Sequence, residues 1–174
     1  MDPGARGPAE PPVDAAGSRG LEPEARLQHA LELAYRHLAR RERTALEVRR
    51  RLEREDVDAA SIDAALAELQ GQGAVDDVGY ARRFAEDRRR LDGWGAERIE
   101  RRLLEVGVPA CVVEAELGRA GQGDELARAV EVLRGKLSAA PADDRERDRA
   151  LRLLARRGFG LELAYEAVRT FGRG

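Results

Sequence analysis

Two histidines, one cysteine and a pair of adjacent aspartates are the side chains best suited to hold a metal or attack a substrate. Their spacing serves neither task. His29 and His37 are eight residues apart, which puts them roughly on one side of a helix but two turns apart. Neither has a partner three or four residues away, so they do not form a metal pair. A single cysteine excludes an internal disulfide and a cysteine-built zinc site. Cys111 lies in the apolar run Cys111-Val112-Val113 and is expected to be a small buried thiol. Asp76-Asp77 reads as a helix N-cap rather than a metal-binding carboxylate pair. The sequence contains neither G-x-x-x-x-G-K-[ST] nor G-x-G-x-x-G. Gly71-Gln72-Gly73 and Gly121-Gln122-Gly123 read as linkers. With no nucleophile–base set and no phosphate loop, these residues argue against an enzyme and call for no cofactor.

The chemistry that remains is that of the guanidinium group. Basic side chains are almost all arginine, with Lys136 the only lysine. Arginine stays charged and grips carboxylate or phosphate through two parallel hydrogen bonds. The formal net charge of −2 argues against tight, unspecific nucleic-acid binding by global charge. The charges are nevertheless segregated. Arg36 to Arg54 holds eight arginines and three acids, Arg82 to Arg102 eight and five, and Arg145 to Arg157 six and two. Between them, Glu55 to Asp77 carries seven acids and no base, and Glu105 to Glu125 five acids and one base. A basic stripe of this kind fits an acidic filament or a phosphate backbone. The candidate interface residues are Arg50, Arg51, Arg54, Arg88, Arg89, Arg98, Arg101, Arg102, Arg156 and Arg157. Trp94, between two glycines, is expected to be partly exposed and able to anchor a partner. The other aromatic residues, Tyr35, Tyr80, Phe84, Phe159, Tyr165 and Phe171, are too sparse for a base-stacking platform and are expected in the core.

The elements that must position these arginines follow from an internal echo. RRLLEVGV at Arg101–Val108 answers RRLEREDV at Arg50–Val57 and RLLARRGF at Arg152–Phe159, a shift of 51 residues each time. Under that shift Leu52, Leu103 and Leu154 share a column, as do Val48, Ile99 and Ala150. Asp56, Gly107 and Gly158 form another column. A fixed period marks repeat architecture. Each unit reads as three helices. In the first, Leu27, Ala30, Leu31, Ala34 and Leu38 mark helix one, Thr44 with Glu47 forms a capping box for helix two, and Asp58 caps a third helix burying Ile62, Leu66 and Leu69. In the second, Tyr80, Ala81, Phe84 and Ala85 share a face. The next helix runs from about Ala96 to Val106, Gly107 ends it, and Pro109 suits the first turn of a third helix carrying Val112, Val113, Glu116 and Leu117. The third unit is expected as helices over about 124–137, 145–157 and 161–171.

The expected architecture is therefore all-α: three tandem three-helix repeats, at 27–71, 74–120 and 124–172, in an elongated, slightly curved, solenoid-like rod. Residues 1–22 hold four prolines and four glycines and are expected to be a disordered tail. No apolar run approaches the ~20 residues of a membrane span, and the N-terminus has no apolar signal core. The expectation is a soluble cytoplasmic protein with no membrane contact.

Two stretches, ALELAYRHLARRERTALEVRRRLE and DDVGYARRFAEDRRRLDGWGAERIERRLLEVGV, together with RLLARRGF, resemble the RecX family of recombination regulators. The resemblance covers about residues 27–172 and lies in the order and spacing of these parts. It implies three tandem three-helix repeats in a curved rod, and a monomer. It implies binding to the RecA recombinase in the groove of its DNA filament, with weak direct contact to DNA and inhibition of RecA's ATPase, strand exchange and filament growth. By their own chemistry, the residues also admit a helix-turn-helix-like nucleic-acid-binding module without a RecA role, or a plain helical scaffold.

Overall fold

The computed structural model describes residues 22–119 and 121–173. The tail expected over residues 1–22 thus lies almost wholly outside the described residues. Among those described there are nine helices and no strand. They are α1 (Pro23–Leu38), α2 (Ala45–Glu53), α3 (Ala59–Gly71), α4 (Asp77–Asp92), α5 (Ala96–Glu105), α6 (Ala110–Gly118), α7 (Gln122–Arg134), α8 (Asp144–Arg157) and α9 (Leu161–Phe171).

Each consecutive trio folds on its own core. Ala30, Leu31, Val48, Leu52, Ile62 and Leu69 meet in the first. Ala81, Ala85, Ile99, Leu103, Val108 and Val113 meet in the second. Ala129, Leu133, Ala150, Leu154, Phe159 and Ala164 meet in the third. The columns read from the 51-residue shift are these buried positions: Leu52, Leu103 and Leu154 are fully buried, and so are Val48, Ile99 and Ala150. Within each trio the first and third helices pack most extensively, and the second closes the face they leave.

Local chemistry sets the helix ends. α1 starts four residues ahead of Leu27, on Pro23, whose fixed φ and missing N–H suit the first turn. Thr44 accepts from the Glu47 N–H while the Glu47 carboxylate accepts from the Thr44 N–H, so the capping box forms. Asp58 caps α3 through the Ser61 N–H, and Asp76 caps α4 through the Gly79 N–H at 2.9 Å. α7 begins at Gln122, so Gly123 lies inside a helix and the expected second linker shrinks. Pro109 stands one place before the first turn of α6, where its carbonyl accepts from Val112 and Val113.

Three side chains sit differently from the expectation. Cys111 is exposed, because Val113 and not Cys111 takes the inward position of α6. Tyr35 and Tyr165 are exposed at 43% and 58%. Their rings lie on the outer faces of α1 and α9, and the Tyr35 hydroxyl donates to Gln72. Helical spacing alone had placed them inside; the apolar faces were already filled by Ala30, Leu31 and Ala34 in one helix and by Ala164, Ala167 and Val168 in the other.

The repeats join through one recurring junction. The Thr44 hydroxyl, at the N-terminus of α2, donates to the Val106 carbonyl at the C-terminus of α5. Fifty-one residues on, the Gly95 N–H donates to the Arg157 carbonyl at 2.8 Å, and the Glu97 N–H to the Gly158 carbonyl at 3.1 Å. So α8, α5 and α2 follow one another head to tail, each helix's negative C-terminal end meeting the positive N-terminal end of the next. The first turn of the following repeat completes each joint. The Asp77 carboxylate on α4 accepts from the Ala45 N–H at 2.9 Å, and the Glu125 carboxylate on α7 accepts from the Ala96 N–H at 2.7 Å. Ala45 and Ala96 are equivalent positions, so an acid from the next repeat caps both α2 and α5.

Gly107 and Gly158 close α5 and α8 at φ +87° and +85°. A Cβ on Gly107 would stand 2.2 Å from Leu46 Cδ2, and one on Gly158 2.3 Å from Arg98 Cβ. Both lie where an earlier repeat presses on the turn. The same column in the first repeat is Asp56, left-handed at φ 56°. Among the described residues no earlier repeat presses on it, so a side chain that tolerates the left-handed region fits.

Candidate docking surface

The second helices carry the candidate surface, and the head-to-tail stacking puts them in one line. Arg50 on α2 and Arg101 on α5 are equivalent positions, and both are exposed. Arg152 on α8 completes the column and is exposed too. None of the three has a carboxylate partner among the described residues. Arg152 was missing from the sequence list, although applying the 51-residue shift to Arg101 would have found it.

The other candidates divide by what holds them. Arg54 and Arg156 are exposed. The Arg54 Nε donates to the Arg50 carbonyl at 3.1 Å, leaving the end of its guanidinium free. Arg51 pairs with Glu55, and Arg102 with Glu105 at 2.9 Å. Arg88, Arg98 and Arg157 belong to the joint between the second and third repeats. The Arg98 Nη1 donates to the Arg156 carbonyl at 3.0 Å, and the Arg157 Nη1 to the Asp92 carbonyl at 3.0 Å. Arg88 pairs with Asp92 at 2.5 Å. Trp94 is half-buried between two guanidiniums, Arg98 at 4.1 Å and Arg88 at 5.7 Å from its ring centre, and it meets Phe84 edge-on at 6.1 Å. These cation–π contacts tie the Gly93-Trp94-Gly95 turn to both neighbouring helices.

Arg89 faces a separate cleft of about 520 Å³ with Arg82, Arg119, Arg128 and Glu116. Burial is the main cause that pushes its pKa down, with the Arg128 charge adding, while Glu125 and Glu116 pull it back. Glu116 is buried and pairs with Arg119 at 2.6 Å. In the other repeats its column holds Ala65 and Ala167. The acid at this one position offsets the cluster of arginines beside it.

A second basic cavity, unforeseen as a unit, lies in the first repeat. Arg36, His37, Arg40, Arg43, Arg51 and Arg54 line about 270 Å³ between α1 and α2. Burial holds the His37 pKa below the ordinary histidine value, and Arg43, Arg51 and Arg41 lower it further against the pull of Glu47. Among the described residues no group of three or more His, Cys, Asp or Glu side chains could hold a metal ion. None of the described helices is long and apolar enough to cross a membrane.

The chain is similar to known proteins. Family models described as "RecX, first three-helix domain" and "RecX, second three-helix domain" match residues 30–69 and 76–117. The regulatory protein RecX of Leptothrix cholodnii is 35% identical over 136 residues, covering 78% of this chain and 85% of its own. That of Thermus thermophilus is 37% identical over 140 residues, covering 80% and 90%. Among solved structures, RecX from Lactobacillus salivarius superposes with a TM-score of 0.76 at 15% identity over 87% of this chain and 99% of that one. At that identity the likeness speaks for the fold.

Proposed function

Because the chain belongs to the RecX family of regulatory proteins, we propose that it binds the RecA recombinase on its DNA filament. There it restrains RecA's ATP hydrolysis, strand exchange and filament growth, acting in the cytoplasm as a monomer and catalysing nothing itself. The observation that carries this reading is the column of Arg50, Arg101 and Arg152. One exposed guanidinium without a carboxylate partner among the described residues recurs at the same place in every repeat. A polymer with regularly spaced acidic groups is the partner such a column suits. Each contact is weak, but the joints keep the three together, so their effects combine through effective concentration.

A helix-turn-helix-like reader would insert the N-terminal end of a helix into a DNA groove. In α2 and α5 that end is covered by the next repeat, through Thr44–Val106 and Gly95–Arg157. This favours docking along the helix sides over base reading by the helix tips.

The test is RecA's ATP hydrolysis on single-stranded DNA, titrated with this protein. Sub-stoichiometric amounts are expected to slow it. The Arg50→Glu, Arg101→Glu, Arg152→Glu variant should need far more protein for the same effect. No change in hydrolysis at any ratio would overturn the proposal.

A further inference from the structure

The basic cavity of the first repeat has a use that the repeat architecture does not explain. At the positions of Arg36, His37, Arg40 and Arg43 the second repeat carries Asp87, Arg88, Leu91 and Trp94. The cluster is thus peculiar to the first repeat and is not needed to build a three-helix unit. Five guanidiniums and one imidazole surround about 270 Å³, and no carboxylate is among the lining residues. Glu47 engages Arg43 at 3.4 Å and Glu55 engages Arg51. Arg36, Arg40 and Arg54 have no carboxylate partner among the described residues. Their only hydrogen bonds there leave through Nε to carbonyls of their own helices, Arg36 to Glu32 and Arg54 to Arg50. The Nε of Arg43 is buried without an acceptor. Gathering like charges in this way is unfavourable unless an anion arrives to share them.

We propose that this cavity, between α1 and α2, is a binding site for a phosphate of a nucleic-acid strand. Free guanidinium ends converging with an imidazole present the donors that a tetrahedral oxyanion accepts from. A strand, rather than an isolated phosphate, follows from what adjoins the cavity. Arg54 on its wall lies one turn along α2 from Arg50, the first member of the arginine column, and both are exposed. A polyanion leaving the cavity therefore meets one further guanidinium without a carboxylate partner among the described residues, that of Arg50. This rests on the docking reading of that column and divides the surface: the first repeat takes the phosphate backbone, and the later repeats take protein.

The experiment needs no RecA, so its failure leaves the ATPase result standing. The imidazole signals of His37 and His29 in the full chain are followed by NMR while a short oligothymidylate, inorganic phosphate or oligoglutamate is added. The oligonucleotide should move His37 and spare His29. Inorganic phosphate should do so only at far higher concentration. In parallel, fluorescence anisotropy measures oligonucleotide affinity against salt. The Arg36→Gln, Arg40→Gln variant should lose about tenfold in affinity, and its slope of log K against log salt should fall by about 0.7, one phosphate on a single strand. The Arg101→Glu, Arg102→Glu variant should keep the His37 response. A stationary His37 signal at saturating oligonucleotide overturns the site. Inorganic phosphate binding as tightly as the strand overturns the strand assignment, and an equal response to oligoglutamate overturns phosphate.

Discussion

At the scale of single residues, two half-buried carboxylates at the first joint respond to acid in opposite directions. For Glu47, burial works to raise the pKa. The hydrogen bond from Arg41, the Thr44 N–H and the charges of Arg41 and Arg43 outweigh it, so the pKa lies below its ordinary 4.5. A carboxyl with a lowered folded pKa contributes stability above its unfolded value and loses it as pH falls through the folded one. For Asp77, burial dominates and raises the pKa above 3.8, against the Ala45 N–H, with Asp76 and Glu47 adding to the rise. Its ionised form is therefore disfavoured by folding: its stabilising effect is full below pH 3.8 and is lost as pH rises through the folded pKa. Glu47→Gln should flatten the loss of stability below about pH 4.5, in urea titrations run as a function of pH. Asp77→Asn, which keeps an oxygen for the Ala45 N–H, should equal or exceed the wild type at about pH 7 and lose that advantage toward about pH 3. Asp77→Ala removes the cap and should cost about 1 kcal/mol at either end. Equal pH profiles for the wild type and Glu47→Gln would remove the capping box from the account of acid stability.

At the scale of the helix, α5 separates packing from docking. Ile99 and Leu103 are fully buried, while Arg101 and Arg102, between them in sequence, are exposed. Leu103→Ala leaves a cavity in the second core and should cost about 2–5 kcal/mol, read as a lower denaturation midpoint. Arg101→Glu with Arg102→Glu should leave stability within about 0.5 kcal/mol of the wild type while weakening the inhibition of RecA. If the double substitution unfolds the repeat, the faces are assigned wrongly. The helices were legible in the sequence because the 51-residue shift superimposed the buried columns, and because Thr44, Asp58 and Asp76 announce their caps. The joints were hidden for a physical reason. Asp77 reaches back 32 residues to Ala45 and Glu125 reaches back 29 to Ala96, so two acids with one task share no column. The shift that exposes the repeats within a unit cannot display a contact whose spacing varies between units. The candidate docking arginines were legible only as a type. Burial and the hydrogen bond to the Arg156 carbonyl, which separate Arg98 from Arg101, depend on the neighbouring repeat.

At the scale of the whole molecule, three small cores depend on narrow joints for their common register. A unit of this size is marginal alone, so stability gained at a joint is shared by both repeats it connects. Gly95 is the point at which this can be tested without touching a core. A Cβ there would lie 2.4 Å from the Gly158 carbonyl oxygen, 2.5 Å from its carbon and 2.6 Å from the Phe159 nitrogen. All three are backbone atoms that cannot rotate aside. Gly95→Ala must therefore open the joint and strain or break two hydrogen bonds, Gly95 N–H to Arg157 and Glu97 N–H to Gly158, a loss of about 1–3 kcal/mol. The core residues Ile99 and Leu103 on one side and Leu154 and Phe159 on the other keep their own partners. The variant should retain its helical circular dichroism in the cold. On heating, the fluorescence of Trp94, the sole tryptophan and adjacent to the joint, should change before the helices melt, whereas the wild type should show coincident transitions. Inhibition of RecA should weaken as well, because Arg101 and Arg152 no longer hold a fixed separation and the second contact loses its effective concentration. Coincident transitions at the wild-type temperature, with inhibition unchanged, would mean that the repeats act as independent beads and that the column of arginines owes nothing to the joint.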